Sequence, residues 1–311
     1  MKNYQTVMNP TDKEYSTEFW NSLRRHNINT SGRYEASAPR TGAYALPAAN
    51  ADKYMEELKK CNFFRTRATS IPMCQKDQPI AVMNTNELAQ WIPENEPIPE
   101  EESVLKVLTF ESCKLASITK LFESMLEDSG FDFEDWVIRN FAKRFGKAEE
   151  AAFLNGTGEN EPTGILAESG GAEVGVTTSG DAPTFDEVMN LFYSLAPEHR
   201  ENAIWVMNDT TALHLRKLKD SAGNYLWAPS SEKLLGKEVI ISNAMPDIGS
   251  GSKPIAFGDF SYYWILDRFP FSVAVLKEKY VLSNQRGYIG YEFLDAKLIR
   301  PEAIKVLQVK A

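Results

Sequence analysis

No stretch of this sequence approaches the roughly 20 consecutive apolar residues of a membrane-spanning helix, which excludes an integral helical membrane protein. The first residues, MKNYQTVMNPTDKEYSTEFW, lack the apolar centre of a secretory signal, so the expected product is a soluble protein made in a cytoplasm. Cysteine is scarce. Cys61, Cys74 and Cys113 are odd in number, form no C-x-x-C pair and have no histidine nearby. That argues against a disulfide framework or a structural zinc site, and for buried reduced thiols. Positive charge is in deficit as well, 34 Lys and Arg against 43 Asp and Glu, for a formal net charge of −9. The broad basic face of a free-standing nucleic-acid binder is therefore not expected, although passive contact with nucleic acid stays open.

Catalytic signatures are missing too. There is no G-x-S-x-G, no H-E-x-x-H and no EF-hand loop. His26, His199 and His214 are scattered and read as ordinary surface or packing histidines. Asp132, Glu134 and Asp135 could suggest paired carboxylates, but acids in a first helical turn have a sufficient reason in the helix dipole. The nearest thing to a phosphate cradle is Gly156-Thr157-Gly158, within EEAAFLNGTGENEPTGIL. A cradle puts glycines between a strand and a helix N-terminus, whereas these follow a helix and meet its carbonyl end. Glu159 and Glu161 add repulsion, and no Lys-Ser or Lys-Thr follows Gly164. Asn155 and Gly156 are read instead as a helix stop in the left-handed conformation. No catalytic, cofactor-binding or metal-binding residue is assigned.

What is present is an ordinary globular balance, 43% hydrophobic and 25% charged, in a chain long enough for one large or two ordinary domains. Residues 1–50 read as an arm, with one amphipathic helix over 14–25 presenting Tyr15, Phe19, Trp20 and Leu23. Residues 50–61 form a helix with Asn50 as its N-cap. Residues 77–102 read as a long hairpin whose tip carries prolines at 93, 97 and 99 among acidic residues. Residues 104–122 alternate as a strand, with Leu105, Val107, Thr109 and Glu111 on one face. A long helix follows, capped by Ser129 or Asp132, with the stripe Phe133, Trp136, Val137, Phe141, Phe145, Ala148 and Ala152.

From residue 165 short units take over. TFDEVMNLFYSL starts at Thr184 with Glu187 in capping-box position, NAIWVMN is a buried strand and DTTALHLRKLKD a helix. KEVIIS, PIAFGDF, YYWILDR, FSVAVLKE and AIKVLQVK read as five further strands.

The order of these features, with EEAAFLNGTGENEPTGIL, NAIWVMNDTTALHLRKLKDSAGNYLW, LLGKEVIISNAMP and IAFGDFSYYWILDR, resembles the tailed-bacteriophage major capsid protein family with its Hong Kong 97-type fold. The resemblance implies an α+β fold with an N-terminal arm (1–50) and an extended β-hairpin, the E-loop (73–104). It implies a peripheral domain with a long spine helix (51–72, 105–165 and 286–311) and an axial α/β domain (166–285). The arm and hairpin would reach over neighbouring subunits.

The function implied is structural, not enzymatic. Copies would assemble through hexamers and pentamers into an icosahedral shell around double-stranded DNA, in the virion, after assembly in a bacterial host cytoplasm. Implied partners are a portal, scaffolding or a maturation protease, and cement proteins, with no membrane and no cofactor. No charged scaffolding segment precedes EYSTEFWNSLRR, so scaffolding is expected to be removed or separate. Some members form an isopeptide bond from a hairpin-tip lysine to an asparagine, helped by a glutamate. Asn284 and Glu292 fall near the latter two positions, but IPENEPIPEEES has no lysine, so no such bond is expected. The alternatives are an encapsulin-type nanocompartment and a soluble α/β enzyme.

Overall fold

The computed structural model describes residues 10–24, 44–83, 105–128, 130–228, 231–276 and 278–311. The first part of the chain supplies helix α1 (Lys13–Arg24), strand β1 (Tyr44–Ala45), helices α2 (Ala48–Cys61) and α3 (Phe64–Arg67), and strands β2 (Thr69–Pro72) and β3 (Asp77–Met83). Next come β4 (Leu105–Glu111), β5 (Cys113–Phe122), α4 (Glu123–Glu127) and the long helix α5 (Phe133–Asn155). The remainder holds β6 (Glu173–Thr177), α6 (Phe185–Ser194), α7 (Pro197–Arg200), β7 (Ile204–Met207), α8 (Asp209–Lys217), β8 (Lys233–Leu234) and β9 (Lys237–Ile241). It ends with β10 (Ile255–Gly258), β11 (Tyr263–Leu276), β12 (Gln285–Leu298) and β13 (Ile304–Gln308).

These strands make two large sheets and one separate pair. The first sheet runs β1-β11-β12-β5, with β2 parallel to β11; the second runs β6-β13-β10-β7-β9-β8. The pair is β3 and β4, antiparallel from Asp77↔Glu111 to Met83↔Leu105. It forms the base of the expected hairpin, whose tip lies outside the described residues. Two side-chain ties fasten β4 to β12: the Glu111 N–H donates to Asp295 Oδ2 at 2.8 Å, and Lys297 Nζ donates to the Thr109 carbonyl at 2.7 Å.

Helix α5 starts where Asp132 accepts the Asp135 backbone N–H at 3.1 Å, with Glu134 and Asp135 in its first turn. Its buried line advances by fours, through Phe133, Val137, Phe141 and Phe145 to Glu149 and Phe153. Ala148, expected in the stripe, is exposed, because a strict four-residue step drifts around the helix. Together with α1 and α2 this helix covers one face of the first sheet. Tyr15, Phe19, Trp20 and Leu23 are buried there, so the described part of the arm packs on its own chain. Gly290 of β12 permits the approach: a Cβ there would lie 2.9 Å from the Phe141 ring.

The second sheet is a local α/β unit. Strands β7 and β10 are buried at every position, and the Trp205 and Phe257 rings stack at 4.1 Å. Thr184 and Glu187 form the expected reciprocal capping box on α6.

Several sequence expectations change. Asn50 lies inside α2, not at its start; Pro47 occupies the N-cap, and Asn50 Oδ1 accepts from Trp20 Nε1 at 3.3 Å. The run 104–122 breaks at Ser112, sending β4 to β3 and β5 to β12. The two strands expected within 262–278 are one strand, β11, whose register slips on either side of Phe269 beside Pro270. Pro270 has no N–H to give the ladder. Sheet pairing also exchanges two strands between the expected domains. β11, from the axial stretch, pairs in the first sheet; β13, from the peripheral stretch, lies between β6 and β10 in the second.

Candidate functional site: a buried polar centre and the surfaces around it

The glycines after α5 are a helix stop, by a different geometry from the one expected. Gly156 is extended (φ −60, ψ 145), and its N–H donates to the Ala152 carbonyl at 2.7 Å. Its need for glycine is spatial: a Cβ would lie 2.2 Å from the Pro162 carbonyl oxygen. The left-handed residues are Gly158 and Asn160. Glu161 Oε1 accepts the Thr157 N–H at 2.9 Å, filling with a carboxylate the place a phosphate would need.

The other catalytic candidates disperse. His214 Nε2 lies 3.1 Å from the Pro183 carbonyl, His199 is buried against Tyr262, and His26 falls outside the described residues. Asp135 pairs with Arg139 along the helix at 2.9 Å. Ser129 and the acidic run at 94–102 also lie outside the described residues. The three cysteines are free thiols but not fully buried: Cys74 is exposed, Cys61 and Cys113 half-buried. Burial and the carboxylates of Asp295 and Glu111 push the Cys113 thiol up to about 11, which keeps it protonated. No group of three or more His, Cys, Asp or Glu able to hold a metal occurs among the described residues. Among those residues no helix is long and apolar enough to cross a membrane.

One polar cluster does converge, where α2, α3, α5 and both long strands meet. Arg65 spans it. Its guanidinium donates to both oxygens of Glu149, through Nε at 3.0 Å and through Nη2, and to Asp267 at 2.6 and 2.9 Å. Asn62 Nδ2 adds a bond to Glu149 Oε2 at 3.1 Å. Burial alone would weaken the Arg65 charge, but the two carboxylates outweigh it and hold the group firmly protonated.

Beside this ion pair, the Tyr54 hydroxyl donates to Glu292 Oε1 at 2.5 Å, and Glu292 Oε2 has no partner. Burial, followed by the charge of Glu149, pushes the Glu292 carboxyl well above the usual range. A cavity of about 130 Å³ opens alongside, lined by Leu58, Tyr54, Arg65, Phe271 and Glu292. Chemically this is a latch that ties helices to sheet, with one acid whose burial favours the neutral form. No serine, threonine, cysteine, lysine or histidine is among the described residues that line the cavity.

The sequence offered part of this. Glu149 sits at the four-residue step between Phe145 and Phe153, and Glu292 shares a strand face with Tyr288 and Gly290. Nothing local to NFFRTR marks Arg65. Asn284, named beside Glu292 by resemblance, occupies a left-handed turn and accepts the Glu123 N–H through its carbonyl at 3.1 Å.

The described residues form a long helix on a long sheet, a separate strand pair tied to that sheet, and a buried charge cluster that joins helices to strands. The chain's family follows from comparison. The phage capsid family matches residues 42–309, and the chain belongs to it. No curated protein sequence matches. Among solved structures, the capsid of a native GTA particle is 31% identical with a TM-score of 0.69, over 80% of this chain and 90% of that one. The capsid of an empty GTA particle is 30% identical with a TM-score of 0.71, over 80% and 89%. A chain of Gordonia phage Cozz shares the fold at 14% identity and a TM-score of 0.60, over 80% and 87%. The protein is a major capsid protein of the phage type, with the mixed α+β fold of that family, and it self-assembles into capsomers of the virion capsid.

Proposed function

We propose that this chain builds hexamers and pentamers that close into an icosahedral shell around double-stranded DNA, held without sequence specificity. The observation that carries the reading is the match to a GTA particle capsid at 31% identity over 80% of the chain. The first-sheet unit, with α5 as its spine, is the peripheral part; the second-sheet unit, including β13, is the axial part that meets its copies at the five- and six-fold axes. The β3–β4 pair is the base of the E-loop, which lies over a neighbour, and the N-terminal arm (1–50) is the further element assigned to contacts with adjacent subunits. A portal, scaffolding or a maturation protease, and cement proteins are the expected partners, and assembly takes place in the bacterial host cytoplasm. The net charge of −9 suits a container that must not bind its DNA tightly. Since residues 84–104 contain no lysine, the shell has no isopeptide bond through the hairpin tip. No enzymatic activity is assigned.

Electron microscopy with sedimentation on the purified protein tests the reading. Rings of five or six subunits or closed shells are expected, and nucleic acid inside them would distinguish a virion from a protein-cargo compartment. A uniform 35.0 kDa monomer, persisting with crowding agents and supplied scaffold, would overturn it.

A further inference from the structure

One oxygen of the buried polar centre is left over. Both oxygens of Glu149 and both of Asp267 accept from the Arg65 guanidinium, and Glu292 Oε1 accepts from the Tyr54 hydroxyl. Glu292 Oε2 has no partner, although its residue is only 6% exposed. A buried polar atom left alone is costly and asks for an explanation. Glu292 also lines the cavity of about 130 Å³ beside the centre, together with Arg65 and Asp267. The other walls are apolar, from Leu46, Met55, Leu58 and Phe271, the last stacked on Tyr54 at 4.3 Å. Phe269 and Pro270 line the cavity where β11 slips register, and a slip of this kind re-aims the side chains beside it. The Asp267 side chain is 36% exposed, so the cavity reaches solvent on that side.

Charge decides what fits. One guanidinium serves a centre with three carboxyl groups, Glu149, Asp267 and Glu292, so an anion entering here would meet like charge. A metal ion has no ligand set, since no group of three or more His, Cys, Asp or Glu able to hold one occurs among the described residues. Water would satisfy the oxygen but not the apolar walls. We propose that the cavity binds a short aliphatic ammonium ion, with its head on Glu292 Oε2 and its hydrocarbon against Leu46, Leu58 and Phe271. The site lies within one chain and does not depend on the shell. An apolar cavity of about 150 Å³ takes benzene, which sets the ligand at about five or six heavy atoms. Binding also moves a proton. Glu292 faces Tyr54 of α2, Arg65 of α3, Glu149 of α5 and Asp267 of β11, and its burial, followed by Glu149, favours the neutral acid. The ammonium charge favours the ionised acid, so binding releases the Glu292 proton to solvent. Affinity then rises with pH, by up to about tenfold per unit, and levels off above the folded pKa. An alkylammonium stays charged throughout, its own pKa lying near the value of about 10.4 for lysine.

The probe is n-butylammonium chloride, titrated calorimetrically into the full chain from about pH 5 to about pH 8 at constant ionic strength, with n-butanol as its uncharged match. Saturable binding to the wild type is expected, about tenfold or more tighter at the upper pH than at the lower. At the upper pH, n-butanol should bind about tenfold more weakly than the ammonium, and Glu292→Gln should weaken the ammonium by a similar factor. Ala51→Leu, which fills the cavity from α2 and spares the polar centre, should abolish binding. A wild type that binds no ammonium would overturn the proposal. So would an affinity that stays flat or falls with rising pH, n-butanol binding as tightly as the ammonium, or undiminished binding by either variant. Should Glu292→Gln fail to fold, the pH series and the alcohol comparison still decide, because both use the wild type. Particle formation is not read in any arm, so failure here leaves the shell reading standing.

Discussion

The two sheets solve burial in opposite ways. Around the second sheet, the polar groups most deeply placed are uncharged or sit at helix ends: Trp205 Nε1 donates to the Leu234 carbonyl at 3.0 Å, and Asn208 caps α8. Beneath the first sheet, by contrast, Arg65, Glu149 and Glu292 are all enclosed. The second unit is close to what local patterning alone can specify. The first joins α2 and α3 to strands more than two hundred residues later in the chain, and its charges fix which helix meets which strand at which height. Apolar packing specifies such long-range registry poorly, because one apolar contact substitutes readily for another. A charge pair with one correct geometry does not permit that exchange.

The sharpest way to break this contrast is Arg65→Met. It leaves Glu149, whose side chain is 0% exposed, without its charged partner and with only the Asn62 amide still bonded to it. A loss of about 3–5 kcal/mol is expected, by denaturant unfolding of the unassembled chain. Pairing it with Glu149→Met should recover most of that loss, since two apolar side chains of similar volume replace the ion pair. A double variant as unstable as the single one would mean that the carboxylate was not the source of the cost. Asp267, partly open to water, is the reason recovery need not be complete.

Glu292→Gln probes the same centre through pH. The folded-state pKa of Glu292 is raised above its ordinary value of 4.5. Between that value and the folded pKa, the unfolded chain has released the proton and the folded chain retains it. Stability therefore falls as pH rises through this window, by about 1.4 kcal/mol per pH unit for one proton. Glutamine removes the proton exchange, so the variant should lose less stability with rising pH and overtake the wild type. Melting temperatures of both proteins, measured from pH 5 upward, check it; parallel curves would eliminate Glu292 as the titrating group.

The same contrast governs what could be read in advance. The capping box at Thr184, the strands β7 and β10, and the cap at Asp132 each depend on residues within a few positions, and each was legible. The polar centre depends on residues brought together from positions 54 to 292, and periodicity carries no information at that range. Asn50 shows the limit locally. Its residue type suits a helix start, yet the Trp20 indole, thirty residues away, holds it inside the helix. The exchange of β11 and β13 between sheets has the same origin, because strand pairing is settled by which faces are left to cover, not by order along the chain.

Glu187→Gln is the smallest change and the one that tests whether the second unit differs in sign as well as degree. Burial pushes the Glu187 carboxyl upward, but the backbone N–H groups of Thr184 and Ser179, with the Ser179 hydroxyl, outweigh it and lower the pKa. Those bonds are 2.8, 2.7 and 2.9 Å long. A carboxyl with a lowered folded pKa contributes stability that is present above its unfolded value of 4.5 and lost as pH falls through the folded value. The first unit should therefore weaken as pH rises and the second as it falls. Glutamine keeps an acceptor oxygen but not the charge, so a loss of about 1 kcal/mol is expected near neutral pH. That loss should shrink as pH falls through the folded pKa, where the wild-type acid also becomes neutral. A deficit that stays the same size from neutral pH down to the acid limit of folding would show that Glu187 acts through shape alone, and the opposition between the two units would then lie in burial and not in charge.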